Sequence, residues 1–327
     1  MRVLVTGSGG HLGEALVRAL TAMQHEVTGA DIRSSPYTSD VGSIVDRQFV
    51  KRCMQGTQVV FHAAALHKPH VGTHSRREFV DVNITGTLNL LEEATTAGVS
   101  AFVFTSSTSV FGDALVPPQA APAAWIGEEV TAIPKNIYGV TKATAEDLCQ
   151  LFHRNHGLPC LVLRTSRFFP EEDDDEFTRQ SYVNDNVKVN EFLFRRVDIE
   201  DVVGAHLLAA KRAPAIGFRR YIISATTPFL HSDVAELRAD APSVVRRRAV
   251  NYQAEYVRRG WKMFRSIDRV YLNDRARNEL GWRPRYDFDF IIGRLQAGHG
   301  PQSPLARLIG AKGYHADRFA GRPNPAE

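Results

Sequence analysis

Short apolar runs alternate with amphipathic stretches along most of this chain. Val3-Leu4-Val5 is a strand-like run, and Glu14-Ala15-Leu16-Val17-Arg18-Ala19-Leu20 after it has helical spacing. The alternation recurs. Residues 25–30 read as a strand, 45–54 as a helix and 57–62 as a strand, and a helix through Asn83, Gly86, Leu90 and Leu91 leads to a strand at 101–104. Residues 138–153 then read as a helix, 159–163 as a strand, 198–211 as a helix and 220–224 as strand-like. The run Val59-Val60-Phe61 is nearly continuous in apolar character, as a parallel strand covered on both faces requires. Strands and helices taking turns in this way predict an α/β fold, a doubly wound parallel sheet of the Rossmann type, with ligands beyond the carboxyl ends of the strands.

The rhythm breaks after Arg164. Glu171-Glu172-Asp173-Asp174-Asp175-Glu176 is an acidic run expected to form an exposed loop or helix start. We assign 1–165 and 196–228 to a nucleotide-binding domain, and 166–195 and 229–327 to a smaller C-terminal substrate-binding lobe. Gly281-Trp282-Arg283-Pro284 is a stop signal, and the tail from Gly298 reads as partly extended. Composition narrows the classes. The net charge of +4 is mild, and Arg246-Arg247-Arg248 and Arg258-Arg259 lack interleaved aromatics, so a solvated face or an anionic substrate fits them better than nucleic acid. Three cysteines, at 53, 149 and 160, make neither a disulfide framework nor a metal spacing, which suits a reducing cytoplasm. No signal peptide fits before the first strand, and no apolar run reaches a membrane span. His62, His67, His70 and His74 lie close together without an acidic or Cys partner, so no metal is expected and a loop lining the cleft fits them better.

The first turn carries the strongest chemical signal. Gly7, Gly10 and Gly13 stand between a strand and a helix, with His11 and Leu12 among them. Gly7 permits the tight turn, Gly10 lets the backbone approach a pyrophosphate and Gly13 lets the helix pack on the strand, while the helix N-terminus offers free N–H groups to the anion. Asp31 falls about 20 residues further on, where a carboxylate accepts bonds from ribose hydroxyls and repels a 2′-phosphate. NAD is therefore favoured over NADP, with Arg33 the residue that could soften the choice. Ala63, Ala64 and Ala65 leave room for a cofactor on the backbone.

Tyr138 and Lys142 stand four apart, on one face of their helix. A free phenol titrates near ~10, so Tyr138 needs cationic neighbours to act as a base. The chemistry implied is removal of a proton from an alcohol while its carbon loses hydride. Ser107, at the end of a buried strand, is placed to hydrogen-bond the same oxygen, whereas Ser106 is expected only to satisfy backbone groups.

Taken in order, these residues resemble the extended short-chain dehydrogenase/reductase family, in particular its NAD-dependent epimerase/dehydratase group, typified by UDP-glucose 4-epimerase. The resemblance runs through Thr6 to Gly13, Asp31, the pair Asp40-Val41 that meets adenine in that family, Ala63-Ala64-Ala65 and Asp81-Val82-Asn83 with Gly86-Thr87. It continues through Ser106-Ser107 with Val110-Phe111-Gly112, Tyr138 to Lys142, Arg196 to Val202, and Leu280-Gly281-Trp282 with Pro284. It implies Tyr138 as acid/base, Lys142 on the nicotinamide ribose and Ser107 on the substrate hydroxyl. It adds Asp40, Val41, Asn83 and Thr105 to the cofactor contacts, Thr108 to the substrate contacts, and a homodimer paired through the helices that carry Asn83 and Tyr138; where the chain departs from the family's Asn, Arg167 is expected to take its place as an anion contact of the substrate. Thr108 and Ser109 stand where the group's dehydratases carry an acidic pair, and Thr165 to Pro170 replaces its Asn and Gly-Pro segment. The leading expectation is a sugar or nucleotide-sugar epimerase. A sugar, polyol or alcohol dehydrogenase/reductase and a non-catalytic dinucleotide sensor are the alternatives.

Overall fold

The computed structural model describes residues 1–249 and 251–313. Nine strands are present among the described residues: β1 (Arg2–Thr6), β2 (Glu26–Asp31), β3 (Asp40–Val41), β4 (Val59–His62), β5 (Ala101–Ser107), β6 (Ala124–Ile126), β7 (Cys160–Thr165), β8 (Phe218–Ile223) and β9 (Arg269–Tyr271). Seven form one sheet in the order β3-β2-β1-β4-β5-β7-β8, every neighbouring pair parallel. The chain moves outward from β1 in one direction and then returns to β4 to move outward in the other, so the doubly wound order puts its switch point between β1 and β4.

Side-chain parity builds the two faces. Val3, Val5, Phe61, Val103, Leu161 and Leu163 point to one side, where Leu12, Leu16 and Leu20 of the helix His11–Ala22 meet Val202, Ala205 and Ala209 of the helix Ile199–Ile216. Their neighbours Leu4, Val60, Phe102, Phe104 and Val162 point to the other side. There the helices Arg47–Met54, Gly86–Thr96 and Ile137–His156 supply Phe49, Leu90, Leu91, Ala145, Cys149 and Phe152. Helix ends follow local chemistry. Asp46 accepts from Gln48 N at 2.9 Å, Asn136 accepts from Gly139 N at 3.0 Å, and Gly157 closes the Tyr138 helix at φ 69°.

A second core joins Phe192, Leu193 and Phe194 to Leu237, Val244, Val245, Tyr252, Tyr256, Phe288, Ile291 and Leu295. The segments do not sort by sequence range alone. Ala123 packs in this second core, and β6 pairs in parallel with β9. In the other direction, Leu280, Trp282 and Ile309 pack on the main sheet's first face. Trp282 Nε1 donates to the Asp201 carbonyl at 3.0 Å, and the Asp201 carboxylate accepts the amides of Arg285 and Tyr286, each at 2.8 Å. These later residues return to the main sheet because their apolar side chains cover the helices on its first face. Within the tail expected to be partly extended, Pro304–Ile309 is helical, and residues 314–327 lie outside the described residues. No helix among the described residues is long and apolar enough to cross a membrane.

Candidate active site

The carboxyl ends of β1, β2, β4, β5 and β7 open onto two cavities that share Tyr138. The larger, about 350 Å³, is lined by Gly7, Gly10, His11, Leu12 and Gly13, by Asp31 and Arg33, by Ala63, Ala64 and Ala65, and by Thr105, Tyr138 and Lys142. The smaller, about 210 Å³, takes in Ser107, Thr108, Tyr138, Ser166 and Arg167.

The glycine turn fits a dinucleotide pyrophosphate by its construction. Gly7 has φ +72°, and a Cβ there would lie 2.7 Å from the Ala64 nitrogen. A Cβ on Gly13 would lie 1.9 Å from the Gly7 carbonyl oxygen. The turn therefore lies flat on the Ala63–Ala64 backbone, with space for nothing larger than hydrogen. Gly10 caps the helix His11–Ala22 and has no side chain of its own to place on the N–H groups of the first turn. Asp31 is fixed by the Gly9 amide at 3.0 Å and the Arg33 amide at 2.9 Å, and it faces the same cavity.

A buried relay holds this floor in place. His62 Nδ1 lies 2.8 Å from Thr6 Oγ1, and its Nε2 lies 2.9 Å from Thr87 Oγ1. Thr87 donates to the Asn83 carbonyl at 2.7 Å, so His62 Nε2 carries the proton and Nδ1 accepts from Thr6. Thr6 Oγ1 accepts in turn from the Ala64 amide at 3.3 Å. Burial, aided by the Lys142 charge, holds His62 well below the usual histidine range, so the ring stays neutral and the relay intact. His62 is thus a scaffold residue, whereas His67, His70 and His74 line the larger cavity. Among the described residues no group of three or more His, Cys, Asp or Glu side chains could hold a metal ion.

Tyr138 and Lys142 project from one face of the helix Ile137–His156. Tyr138 lies beside Ser107, and burial, opposed by the Ser107 hydroxyl, pushes its phenol up to about 12. Lys142 Nζ sits 4.2 Å above the Phe104 ring, and burial, opposed by Glu146 and Cys149, brings it down to about 7. The protein alone therefore keeps a neutral phenol beside a lysine poised near neutrality, and positive charge in the cleft is what would release the Tyr138 proton. Thr105 lines the cavity, but its hydroxyl is committed to His206. His206 Nδ1 donates to the Val202 carbonyl at 2.8 Å, so Nε2 accepts from Thr105 at 2.9 Å. Burial holds His206 down at about 4, and so neutral.

The acidic run corrects the expectation of an exposed loop. Asp175 does cap the short helix Glu176–Ser181, but Glu171 and Asp173 turn inward. Glu171 lies 3.0 Å from His11 Nε2 and accepts from the Lys312 amide at 3.0 Å. Burial alone would raise its carboxyl, yet the bond and charge of His11 bring it down to about 2. Asp173 pairs with Arg167, and Asp174 with Lys68 at 3.1 Å. Glu191, on the helix Asn184–Glu191, sits at the centre of three guanidinium groups: Arg167 at 3.0 Å, Arg195 at 2.9 Å and Arg196 at 2.8 Å. Arg167, expected as a substrate contact, thus borders the smaller cavity with two carboxylates already on it.

Three expected cofactor contacts fall outside the cavity lining. Asp40 and Val41 are exposed on the edge strand β3, and Gly42, Ser43 and Ile44 line the cavity instead. Asn83 is buried and fully used: Oδ1 accepts the Leu66 amide at 2.8 Å, while Nδ2 donates to the Leu66 carbonyl at 2.8 Å and to Thr141 at 3.0 Å. It ties the loop after β4 to the Tyr138 helix. Ser106 does more than satisfy a turn, since it donates to Glu146 at 2.6 Å and Glu146 also receives Arg164 and Arg220. Phe168, Phe169 and Lys312 also line the larger cavity, contributed by segments that local pattern could not connect to it. Arg247, Arg248, Arg258 and Arg259 form ion pairs with Glu236, Asp233 and Glu255 and border neither of these cavities.

A family model described as "NAD dependent epimerase/dehydratase family" matches residues 3–223. An uncharacterized UDP-glucose epimerase of Bacillus subtilis is 28% identical over 184 residues, which cover 50% of this chain and 55% of that protein, about half the length of each. An L-arabinose 1-dehydrogenase (NAD(P)(+)) of Haloferax volcanii is 32% identical over 194 residues, 56% of this chain and 75% of that protein. Among solved structures, a short-chain dehydrogenase/reductase superfamily protein from Agrobacterium tumefaciens with bound NAD superposes with a TM-score of 0.63 at 24% identity, over 91% of this chain and 96% of that one.

Proposed function

The chain belongs to the NAD dependent epimerase/dehydratase family, and from that premise we propose that it is an NAD-dependent sugar epimerase that inverts a carbinol centre by transient oxidation. The observation that carries the reading is Tyr138, which borders both cavities and lies beside Ser107 in the smaller one. NAD, when bound, supplies a hydride acceptor and donor at the substrate carbon. The residues that would hold it are the Gly7–Gly13 turn at the pyrophosphate, Asp31 at the adenosine ribose, and Lys142 beside the nicotinamide. Tyr138 Oη takes the proton of the substrate hydroxyl and returns it to the alkoxide of opposite configuration. Ser107 holds the reacting oxygen against Tyr138. Lys142 supplies positive charge that favours the phenolate. Thr108 and Ser109 follow Ser107 without a carboxylate, and Glu171 across the cavity is fixed in its ionised form at about 2, so neither supplies the acid that elimination of water needs. Pairing of two copies through the helices bearing Asn83 and Tyr138 is in keeping with Val140 and Leu151, which are exposed on the latter.

The test is to release and quantify bound NAD from the purified protein, then incubate the holoenzyme with sugars and follow configuration by NMR. An epimerase interconverts a sugar pair with no accumulation of reduced nicotinamide. Continuous accumulation supports the second reading, a sugar dehydrogenase, which the Haloferax volcanii relative favours. Bound NAD with neither activity across the sugars supports a sensor and refutes the proposal.

A further inference from the structure

The charges around the smaller cavity restrict what it can accept. Four cationic side chains line it, and each already has a carboxylate. Lys68 pairs with Asp174 at 3.1 Å, Arg167 with Asp173 and Glu191, Arg195 with Glu191 at 2.9 Å, and Arg269 with Asp268 at 2.9 Å. Glu171, Glu172 and Asp174 face the same space. A diphosphate entering here would meet three carboxylates, and guanidinium groups whose charge is already offset by carboxylates such as Glu191, which has no solvent exposure at all.

Hydroxyl chemistry meets no such obstacle. Ser107, Thr108, Thr165 and Ser166 form one wall beside Tyr138, and Phe168 and Tyr271 offer apolar faces. Ser166 is the telling member. It is 3% exposed, its backbone amide is bonded to the Ile223 carbonyl, and its Oγ has no hydrogen-bond partner among the described residues. An enclosed hydroxyl without a partner, on a residue that lines the cavity, calls for a polar atom that a bound ligand or water brings within reach of a rotated serine side chain. A neutral polyol can donate to the carboxylates and accept from Ser166 without breaking any ion pair.

We propose that the substrate of this site is an uncharged polyhydroxylated molecule, a free sugar or polyol rather than a nucleoside diphosphate sugar, and that Ser166 contacts one of its hydroxyls. This rests on the function proposed above and names its substrate class. The test uses the NAD-loaded protein and saturation-transfer difference NMR with D-glucose, D-galactose, L-arabinose and sorbitol on one side, and UDP-glucose and D-glucuronate on the other. At least one uncharged probe binds, and binds at least about tenfold more tightly than UDP-glucose or D-glucuronate. Ser166→Ala then raises the KM for the best probe about five- to tenfold, the loss of one neutral hydrogen bond, with kcat within about threefold of the parent and an unchanged melting temperature.

Tighter binding of UDP-glucose or D-glucuronate, no binding of any uncharged probe, or an unchanged KM in Ser166→Ala overturns the proposal. The two readings fail differently. Turnover of UDP-glucose that vanishes in Tyr138→Phe removes the substrate class and leaves the reaction. Binding of a free sugar that never undergoes Tyr138-dependent chemistry removes the reaction and leaves the substrate class.

Discussion

Replacing Glu191 by Gln tests the charge network that shapes the substrate side. The carboxylate is fully buried and receives Arg167, Arg195 and Arg196 at 2.8–3.0 Å. Burial by itself would raise it, but Arg167, Arg196 and Arg195 hold it at about 2. A carboxyl that moves from 4.5 unfolded to about 2 folded contributes about 3 kcal/mol at neutral pH, in line with the ~3–5 kcal/mol lost when one partner of a buried pair is removed. Gln keeps the shape but cancels the charge, leaving Asp173 as the remaining carboxylate on Arg167 and Arg195. Urea unfolding followed by tryptophan fluorescence suits the case, because Trp125 and Trp261 pack against the second core. At neutral pH the midpoint falls by roughly 1–2 M for m near ~3 kcal/mol/M. The folded value lies below the unfolded one, so the stabilisation is complete above about 4.5 and is lost as pH falls toward about 2. The gap between parent and variant therefore narrows on acidification below about 4.5. A midpoint change under ~0.3 M at neutral pH, or a gap that stays constant down to pH ~3, refutes the reasoning.

Two further changes address the dinucleotide side. Gly13→Ala drives a Cβ to within 1.9 Å of the Gly7 carbonyl oxygen, so calorimetry is expected to find NAD affinity reduced by at least about tenfold, and near-parent affinity would show that the turn relaxes freely. Asp31→Ala removes the carboxylate that repels a 2′-phosphate, so the ratio of NADP to NAD dissociation constants falls by about tenfold or more, and an unchanged ratio assigns the preference to Arg33 or another neighbour.

What the sequence could disclose was whatever its own periodicity or local spacing encodes. The strand, glycine turn and helix at the N-terminus are contiguous, so their joint function is visible in thirteen residues. Tyr138 and Lys142 share a helix face by spacing alone. The acidic run misleads for the opposite reason: its partners His11, Lys68 and Arg195 lie elsewhere in the chain, and six consecutive acids read locally as a solvated segment. Asn83 marks the right neighbourhood, yet its amide serves Leu66 and Thr141, and only the fold shows which way a buried amide faces. Ser166 carries no motif; it stands out through an enclosed, unpartnered hydroxyl on a residue that lines the cavity. Trp282 and Ile309 rejoin the nucleotide layer through apolar contacts whose partners the sequence does not name.

The account stands on Tyr138 as the group that moves the substrate proton. The direct measurement is Tyr138→Phe, comparing NAD affinity and turnover with the parent on the same substrate. The expected result is NAD affinity within about threefold and turnover lower by about 10²–10⁴-fold, the usual contribution of a positioned acid/base. Turnover within about threefold of the parent would contradict it.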